Sequence, residues 1–405
     1  MTGTPPAATG SDLNQVFTPY RPVEVPDFLY GRQSLMYRVT DAVNTEGLHV
    51  ILYGDRGIGK TSIAKILAQS VQQPNVHGGR RVLFASCNAA DDYSSIWRRV
   101  FQEIIVAPRQ LGFRPTPDDI AVERWDQSAI AEPNDVRLLM AGLPNPIVVV
   151  LDEFDRVPVG NDARRLMADT IKLFADVGVH ATIVIVGVAD SIAELFAEHQ
   201  SISRNTAQIQ VEPMTPRELG DIITRGYARA GMTVEDGLAQ RIAELSQGYP
   251  SYTHLLGLWA GRQVREDDRQ RVTNDDLDRA IPDALLNAIG GVQQEYEQAI
   301  HSNQPGTLFE DVLLACALAP KDGLGGFAAK AVQGPLRKIT GRLYDTGAYQ
   351  SHLARFCDAD RGPVLKRGGT KRNFKWRFVN PQIIPYILLR GRKQERLPID
   401  WASAT

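Results

Sequence analysis

The stretch that decides the fold reads Gly54-Asp55-Arg56-Gly57-Ile58-Gly59-Lys60-Thr61. It fits the pattern G-x-x-x-x-G-K-[S/T] at every fixed position. The glycines let backbone N–H groups curl around an anion, and the helix that follows such a loop points its positive end toward that anion. An apolar run at 49–54 leads into the loop, and a helix-like run at 62–71 follows it. This order of strand, loop and helix predicts a phosphate-binding site at one edge of an α/β sheet.

A second pattern supplies carboxylates for the same site. Asp152 and Glu153 follow the apolar run 148–151, which predicts that they lie at the carboxyl end of a strand, where ligands bind in open α/β sheets. Beside bound phosphates, Lys60 would contact the β- and γ-phosphates, and Thr61 and Asp152 would hold Mg²⁺. Glu153 would orient and polarise an attacking water. The alternative for both carboxylates is that they are solvated turn residues.

Apolar strand-like runs alternate with helical patterns through the first half of the chain. Several of the runs are nearly continuous in Val, Ile and Leu, which suits strands that are covered on both faces in a parallel sheet. The helical patterns between them suit right-handed crossovers. We therefore predict an α/β domain with a parallel sheet of five strands, formed by the runs at 49–54, 81–88, 146–153, 181–188 and 208–213.

The pattern changes after this domain. Capping boxes that begin at Thr215 and Thr273 start helices with apolar residues spaced by three or four. Farther on, three helical patterns and then two strand-like pieces follow in the order of a winged helix, a helix-turn-helix variant. The predicted parts are a flexible N-terminal arm (1–20), the α/β domain (21–213), a helical lid domain (214–303) and a winged-helix domain (304–405).

Charge is distributed unevenly between these parts. Residues 304–405 carry 17 Lys and Arg against 8 Asp and Glu, whereas the other 303 residues carry 28 against 39. The whole chain therefore has a formal net charge of only −2. A basic domain in a nearly neutral chain indicates an anionic partner for that domain.

The basic residues concentrate on the predicted hairpin of the winged helix, the wing. Cations on a flexible tip suit contacts to phosphates, which position a protein on duplex DNA without reading its sequence. The alternatives are a module that binds protein and a wing that is merely solvated. The residues predicted to contact nucleic acid are Lys366, Arg367, Lys371, Arg372, Lys375 and Arg377.

Composition limits the remaining possibilities. No apolar run approaches the 18 or more residues of a membrane-spanning helix, and the first residues lack the pattern of a signal peptide. The three cysteines lie too far apart for a disulfide framework or a zinc site. We therefore expect a soluble, cytoplasmic protein that has no membrane partner.

Taken together, the motifs resemble those of the AAA+ ATPases, and more closely those allied to the replication-initiator and STAND branches, over residues 28–260. The resemblance implies ATP and Mg²⁺ as cofactors, hydrolysis of ATP, and nucleotide contacts from the whole loop and Ser62. The segment 28–32 is similar to the short F-x-G-R box of those branches. In the family this box lies near the adenine, which implies roles for Tyr30 and Arg32.

Two further roles are implied by the same resemblance. Asp190 follows the predicted fourth strand, where a polar residue senses the γ-phosphate; the usual residue there is asparagine, and a helix N-cap is the alternative. Arg204 precedes the fifth strand, where a neighbouring subunit would supply an arginine finger; the alternative is a surface arginine. A finger of this kind implies a homo-oligomer or a partner ATPase protein.

The lid segment departs from the initiator pattern. Ser251 stands where those ATPases carry an arginine, and the turn Gly248-Tyr249-Pro250 is closer to the STAND branch, in which Pro250 would abut the nucleotide. We therefore predict a molecular switch that couples ATP binding and hydrolysis to nucleic-acid binding. The alternative is a STAND-like regulator with slow turnover, whose winged helix binds protein. A metabolic phosphoryl transferase fits poorly, because the basic wing would be unexplained.

Overall fold

The computed structural model describes residues 11–72, 80–110, 132–141, 143, 146–189, 192–196, 200–288, 291–302, 306–323, 325–370 and 373–397. The chain divides into two compact units. The nucleotide unit comprises residues 22–212, and the helical unit comprises residues 213–405 together with the first 21 residues.

Sixteen α-helices and nine strands are defined in the described part of the chain. In order they are α1 (Leu13–Val16), α2 (Gln33–Asn44), β1 (His49–Gly54), α3 (Lys60–Gln72), β2 (Arg81–Ser86), α4 (Tyr93–Gln110), α5 (Pro133–Ala141), β3 (Ile147–Asp152), α6 (Ala163–Val177), β4 (Ala181–Val188), α7 (Ile192–Leu195), β5 (Thr206–Gln210), α8 (Pro216–Arg229), β6 (Thr233–Val234), α9 (Leu238–Ser246), α10 (Pro250–Glu266), β7 (Arg271–Val272), α11 (Asn274–Leu286), α12 (Val292–Ile300), α13 (Phe309–Leu318), α14 (Ala329–Thr340), α15 (Thr346–Arg355), β8 (Leu365–Thr370), β9 (Asn373–Phe378) and α16 (Ile383–Lys393).

The nucleotide unit is built on the predicted five-stranded parallel sheet. Its strand order is β2-β3-β4-β1-β5. All six residues of β3 are buried, as expected for a strand covered on both faces. The expected fold class of the nucleotide unit, a parallel α/β sheet carrying a phosphate loop, is confirmed.

The register of the sheet brings the predicted motifs to one edge. β4 lies between β1 and β3, and it pairs Val188 with Gly54 and Ile185 with Leu151. The start of the phosphate loop, the residue before Asp152 and the end of β4 therefore lie on neighbouring strands that run in the same direction. Side chains that leave this carboxyl edge can meet at a single ligand.

The helical unit begins with the predicted capping boxes. Thr215 accepts from the backbone N–H of Glu218, whose side chain accepts from the N–H of Thr215, and Thr273 and Asp276 repeat the arrangement at α11. Each box satisfies two N–H groups that a helix start leaves free. Helices α8, α9 and α10 pack on one another in this unit.

Part of the predicted flexible arm is folded into the helical unit. The short helix α1 is capped by Asp12, and Leu13 and Phe17 are buried. Phe17 packs so closely on α8 and α10 that a Cβ atom at Gly226 or Gly257 would lie 2.8 Å from its ring. The prediction of flexibility is therefore wrong for residues 11–20, because glycines in two distant helices leave room for an apolar side chain.

The C-terminal segment packs on helices of the same unit. It contains α13, α14, α15, the antiparallel hairpin β8–β9 and α16, and Phe327 between α13 and α14 pairs with Trp376 in the hairpin. Arg392 on α16 forms an ion pair of 3.0 Å with Asp278 on α11. Among the described residues, no helix combines the length and apolarity needed to cross a membrane.

Candidate nucleotide site

The phosphate loop has the backbone that its glycines predict. Gly54, Gly57 and Gly59 have φ angles of 144°, 78° and 95°, which lie in a region that side chains disfavour. At Gly54 a Cβ atom would also lie 2.4 Å from the carbonyl oxygen of Val211. The loop therefore needs glycine at this position for its backbone angle and for close packing.

The amides of the loop are available to an anion. In the described part of the chain, no backbone carbonyl or side chain accepts a hydrogen bond from the N–H groups of residues 57–61. Helix α3 begins at Lys60, so the positive end of its dipole lies at the same place. This geometry fits a bound phosphate group.

Lys60 is buried at the centre of the loop, with 7% of its surface exposed. Its Nζ donates to the carbonyl oxygens of Gly54 at 2.9 Å and Asp55 at 2.6 Å, partners that a phosphate oxygen can replace. Burial lowers the pKa of Lys60 to about 8, and the nearby carboxylates of Asp155, Asp55 and Asp152 limit this fall. A buried cation with carbonyl partners is a strong attraction for an anion.

Asp152 and Thr61 form the candidate magnesium site. Burial raises the pKa of the Asp152 carboxyl, and its interactions with the Thr61 hydroxyl and the Glu153 amide oppose this rise. Among the described residues, no group of three or more His, Cys, Asp and Glu side chains could hold a metal. Two oxygen ligands nevertheless suit Mg²⁺, which takes its other ligands from water and substrate phosphates.

Glu153 leaves the end of β3 in an unusual conformation. Its φ angle is 54° in the left-handed region, although it is not glycine. Its half-exposed carboxylate accepts from Nη1 of Arg156 at 2.8 Å, whereas Asp155 Oδ1 accepts from the backbone N–H of Val188 at 2.8 Å. Arg156 therefore pairs with Glu153, and Asp155 binds the end of β4.

Arg32 of the F-x-G-R box binds the backbone of the phosphate loop. Arg32 is buried and donates to the carbonyl oxygens of Ile58 at 3.3 Å and Glu212 at 2.8 Å. Tyr30 is also buried. Ser62 Oγ accepts from the N–H of Val23 at 3.0 Å. The side chains of Arg32 and Ser62 therefore bind protein backbone and hold the loop in place.

Arg204 lies at the amino ends of the strands, opposite the carboxyl edge that carries the phosphate loop. It is exposed at the end of a short 3₁₀ helix that precedes β5, and Thr206 of β5 pairs with His49 at the start of β1. The phosphate loop follows the other end of β1, about 16 Å away at the usual rise of a strand. Arg204 is therefore remote from the phosphate loop of its own chain.

The other predicted contacts fall into two groups. Asp190, Lys371 and Arg372 lie outside the described residues. Pro250 begins α10 in the helical unit, and its nucleotide contact stays a prediction.

The hairpin cations have different surroundings. Lys375 forms an ion pair of 2.6 Å with Asp322, and the Arg367 guanidinium lies 4.5 Å from the ring centroid of Phe374. Lys366 is exposed and Arg377 is half-buried. The charge of Lys375 is thus balanced within the protein.

Sequence reasoning missed Arg164. This side chain is buried in α6 and donates to backbone carbonyls on both segments that leave β3 and β4 at the nucleotide edge. Nothing in the sequence distinguishes it from Arg165, which is exposed. Only the fold separates the two arginines.

A parallel sheet with a glycine-rich phosphate loop and a buried lysine defines the chain as a P-loop NTPase. The sequence also matches the profile of the family Novel STAND NTPase 1 (nSTAND1) over residues 18–301, which is more than half of its length. The chain belongs to this family.

Solved structures with the same fold are distant in sequence. The Walker-type ATPase paby2304 of Pyrococcus abyssi superposes with a TM-score of 0.54 at 14% identity, covering 92% of this chain and 99% of its own. The Aeropyrum pernix ORC2 protein, solved as ADPNP–ADP complexes, gives 0.51 at 15% identity, covering 96% and 99%. No curated protein matches the sequence.

Proposed function

We propose that this chain is an ATP-dependent molecular switch that binds ATP with Mg²⁺ and hydrolyses it slowly. The observation that carries the proposal is Lys60, a buried cation at a helix start, surrounded by loop amides that have no acceptor among the described residues. Adenine nucleotides are the ligands named for the Aeropyrum pernix protein of the same fold, which supports ATP as the ligand.

In this proposal each residue of the site has a separate task. The loop amides and Lys60 bind the β- and γ-phosphates, and Thr61 and Asp152 hold Mg²⁺, which would neutralise charge on those phosphates. Glu153 orients the attacking water after it leaves its exposed ion pair with Arg156. Turnover would be slow because Ser251 stands in the lid where the initiator ATPases carry an arginine.

Arg204 would act on a neighbouring subunit. Its place at the far edge of the sheet puts it out of reach of the phosphates of its own chain. A neighbouring copy, or a related ATPase, would present its corresponding arginine to this site. Turnover per protomer should then rise with protein concentration.

The test measures binding of a fluorescent ATP analogue and the release of phosphate. We expect Lys60→Ala to weaken binding at least 100-fold, while Lys65→Ala on the same helix, a half-buried residue paired with Glu24, leaves it unchanged. Arg204→Ala should lower turnover and remove its concentration dependence. If Lys60→Ala bound the ATP analogue with wild-type affinity, the proposed nucleotide site would be wrong. If Arg204→Ala turned over like wild type, the proposed action of Arg204 on a neighbouring subunit would be wrong.

We propose the C-terminal segment as a winged helix that contacts duplex DNA. The Phe327–Trp376 bridge gives the order helix, strand, helix, helix, hairpin, and Lys366 and Arg367 are exposed on β8. The ion pair between Arg392 and Asp278 joins this segment to α11, so a nucleotide-driven movement would carry the lid helices and the winged helix together.

A protein partner is the second candidate for this surface. Membership in the nSTAND1 family and the ion pair of Lys375 with Asp322 favour it, since the pair reduces the free positive charge. Duplex DNA binding at two salt concentrations, with Lys366→Glu/Arg367→Glu beside wild type, separates the candidates. Salt-sensitive binding lost in the variant supports DNA, whereas no binding with ATP, ADP or no nucleotide supports a protein partner.

A further inference from the structure

Two chain segments leave the nucleotide edge of the sheet side by side. The first follows β3 and consists of residues 153–157, which include Glu153. The second follows the end of β4, and its described parts are residues 187–189 and 192–196. Three independent contacts join these segments.

The first contact is the guanidinium of Arg164, whose residue is only 8% exposed. Its Nε donates to the carbonyl oxygen of Val157 at 2.9 Å. Its Nη2 donates to the same oxygen at 2.6 Å and to the carbonyl oxygen of Asp155 at 2.8 Å. Its Nη1 donates to those of Glu194 at 2.7 Å and Leu195 at 3.3 Å. One buried cation therefore binds carbonyls of both segments and satisfies its donors with backbone oxygen.

The other two contacts lie closer to Glu153. Asp155 Oδ1 accepts from the N–H of Val188, the last residue of β4, at 2.8 Å. The rings of Phe154 and Phe196 stack with centroids 5.3 Å apart, and Phe154 is fully buried. Both residues immediately after Glu153 are thus tied to the segment that follows β4.

The backbone of Glu153 explains why such ties matter. A left-handed φ at a residue other than glycine is strained, and it persists only when neighbouring structure imposes it. Phe154 and Asp155 are the residues that the contacts hold. Loss of the contacts would let Glu153 relax to an ordinary conformation and change the direction of its carboxylate.

We propose that Arg164 and Asp155 are positioning residues that hold Glu153 and the end of β4 as one piece, so that hydrolysis depends on them and nucleotide binding does not. This inference rests on the proposed hydrolysis of ATP. Neither side chain would touch the reacting atoms, since Arg164 binds backbone carbonyls and Asp155 binds a backbone N–H.

The test compares Arg164→Met, Asp155→Ala and Asp155→Asn with wild type. Arg165→Met is the matched control, because Arg165 follows directly in α6 and its ion pairs with Asp162 and Asp169 are exposed. The measurements are kcat and KM for ATP with Mg²⁺, the Kd of a fluorescent ADP, and hydrogen exchange at the Val188 amide.

We expect Arg164→Met and Asp155→Ala to lower kcat roughly 10- to 100-fold, because small displacements of a catalytic group cost rates of this size. KM and Kd should stay within about threefold, and exchange at Val188 should rise. Asp155→Asn should keep most of the rate, because its amide oxygen can accept the same hydrogen bond. Arg165→Met should behave as wild type.

Three outcomes would overturn the inference. Equal losses in kcat and in nucleotide affinity would indicate a general structural role. A loss in Asp155→Asn as large as in Asp155→Ala would indicate that Asp155 acts through its charge on Lys60. Unchanged hydrogen exchange at Val188 in both Arg164→Met and Asp155→Ala would show that these contacts do not hold the end of β4 in place.

A wild-type chain without turnover would instead defeat the proposed hydrolysis. Hydrogen exchange at the Val188 amide alone would then test the positioning role. Faster exchange at Val188 with unchanged exchange in α3 would support the positioning role, and exchange that rises equally in both regions would overturn it.

Discussion

The phosphate loop and Glu153 solve the same backbone problem in opposite ways. Both lie at the carboxyl edge of the sheet and both use left-handed φ angles. The loop uses Gly57 and Gly59, for which such angles carry little strain, whereas the end of β3 uses a glutamate held by its neighbours. In the proposed function, binding of nucleotide would thus depend on local sequence, and hydrolysis would depend on packing between distant segments.

The largest expected effect is a loss of turnover that leaves the affinity for ATP unchanged. We expect Glu153→Gln to lower turnover by roughly 10²–10⁴-fold, the range for loss of a general base. The Kd for ATP should stay within about threefold, because the loop and Lys60 are unchanged. Phosphate release and binding of a fluorescent ATP analogue measure the two quantities.

Glu103→Gln on α4 is the control, since it removes a carboxylate elsewhere in the nucleotide unit. A Glu153→Gln variant that hydrolyses ATP at the wild-type rate would assign the base to another residue. A large loss of ATP affinity in the same variant would show that the two regions are not separable.

A second prediction concerns Lys60 and pH. Its pKa of about 8 in the free protein should rise when phosphates surround the amine. Below pH 8 the affinity for ATP should be flat, because the amine is already charged. Above pH 8 binding must take up a proton, so Kd should increase by up to about tenfold per pH unit.

Titration of a fluorescent ATP analogue from pH 7 to pH 10 measures this slope. Lys60→Arg is the matched variant, because a guanidinium keeps its charge over the whole range. The Kd of Lys60→Arg for the ATP analogue should be higher than that of wild type and should not change with pH. The explanation fails if Lys60→Arg shows the same dependence as wild type.

The smallest effect tests the backbone of Glu153 directly. Glycine tolerates left-handed φ angles and alanine does not, so Glu153→Gly should be more stable than Glu153→Ala. The difference should be about 0.5–1 kcal/mol after the greater entropy of glycine in the unfolded chain is counted. Urea unfolding measures the free energies.

The same pair of substitutions at Glu103, inside α4, should show the opposite order, because glycine destabilises a helix by about 1 kcal/mol relative to alanine. If alanine were also the more stable replacement at Glu153, the left-handed conformation would not be imposed by the fold in solution.

The sequence predicted the sheet and the nucleotide motifs because both are local signals. A fixed spacing of glycines and a lysine defines the phosphate loop, and continuous Val, Ile and Leu define the buried β3. Asp152 and Glu153 follow from their place after that strand. Each of these inferences needs only neighbours in the chain.

The missed features depend on neighbours that are distant in the chain. Arg164 is distinguished from Arg165 by carbonyls some 30 residues away, and no spacing rule encodes them. The helix α1 has only four residues, too short to give a periodic signal. Its burial depends on Gly226 and Gly257, which lie more than 200 residues farther along the chain.

The folded arm has a consequence for the order of events during synthesis. The chain leaves the helical unit after residue 21 and returns to it at residue 213, so the nucleotide unit is inserted within the other unit. The nucleotide unit is contiguous and can fold as soon as residue 212 has left the ribosome. Leu13 and Phe17 must wait until α8 and α10 have been made, and a chaperone that recognises exposed apolar side chains has that interval in which to bind them.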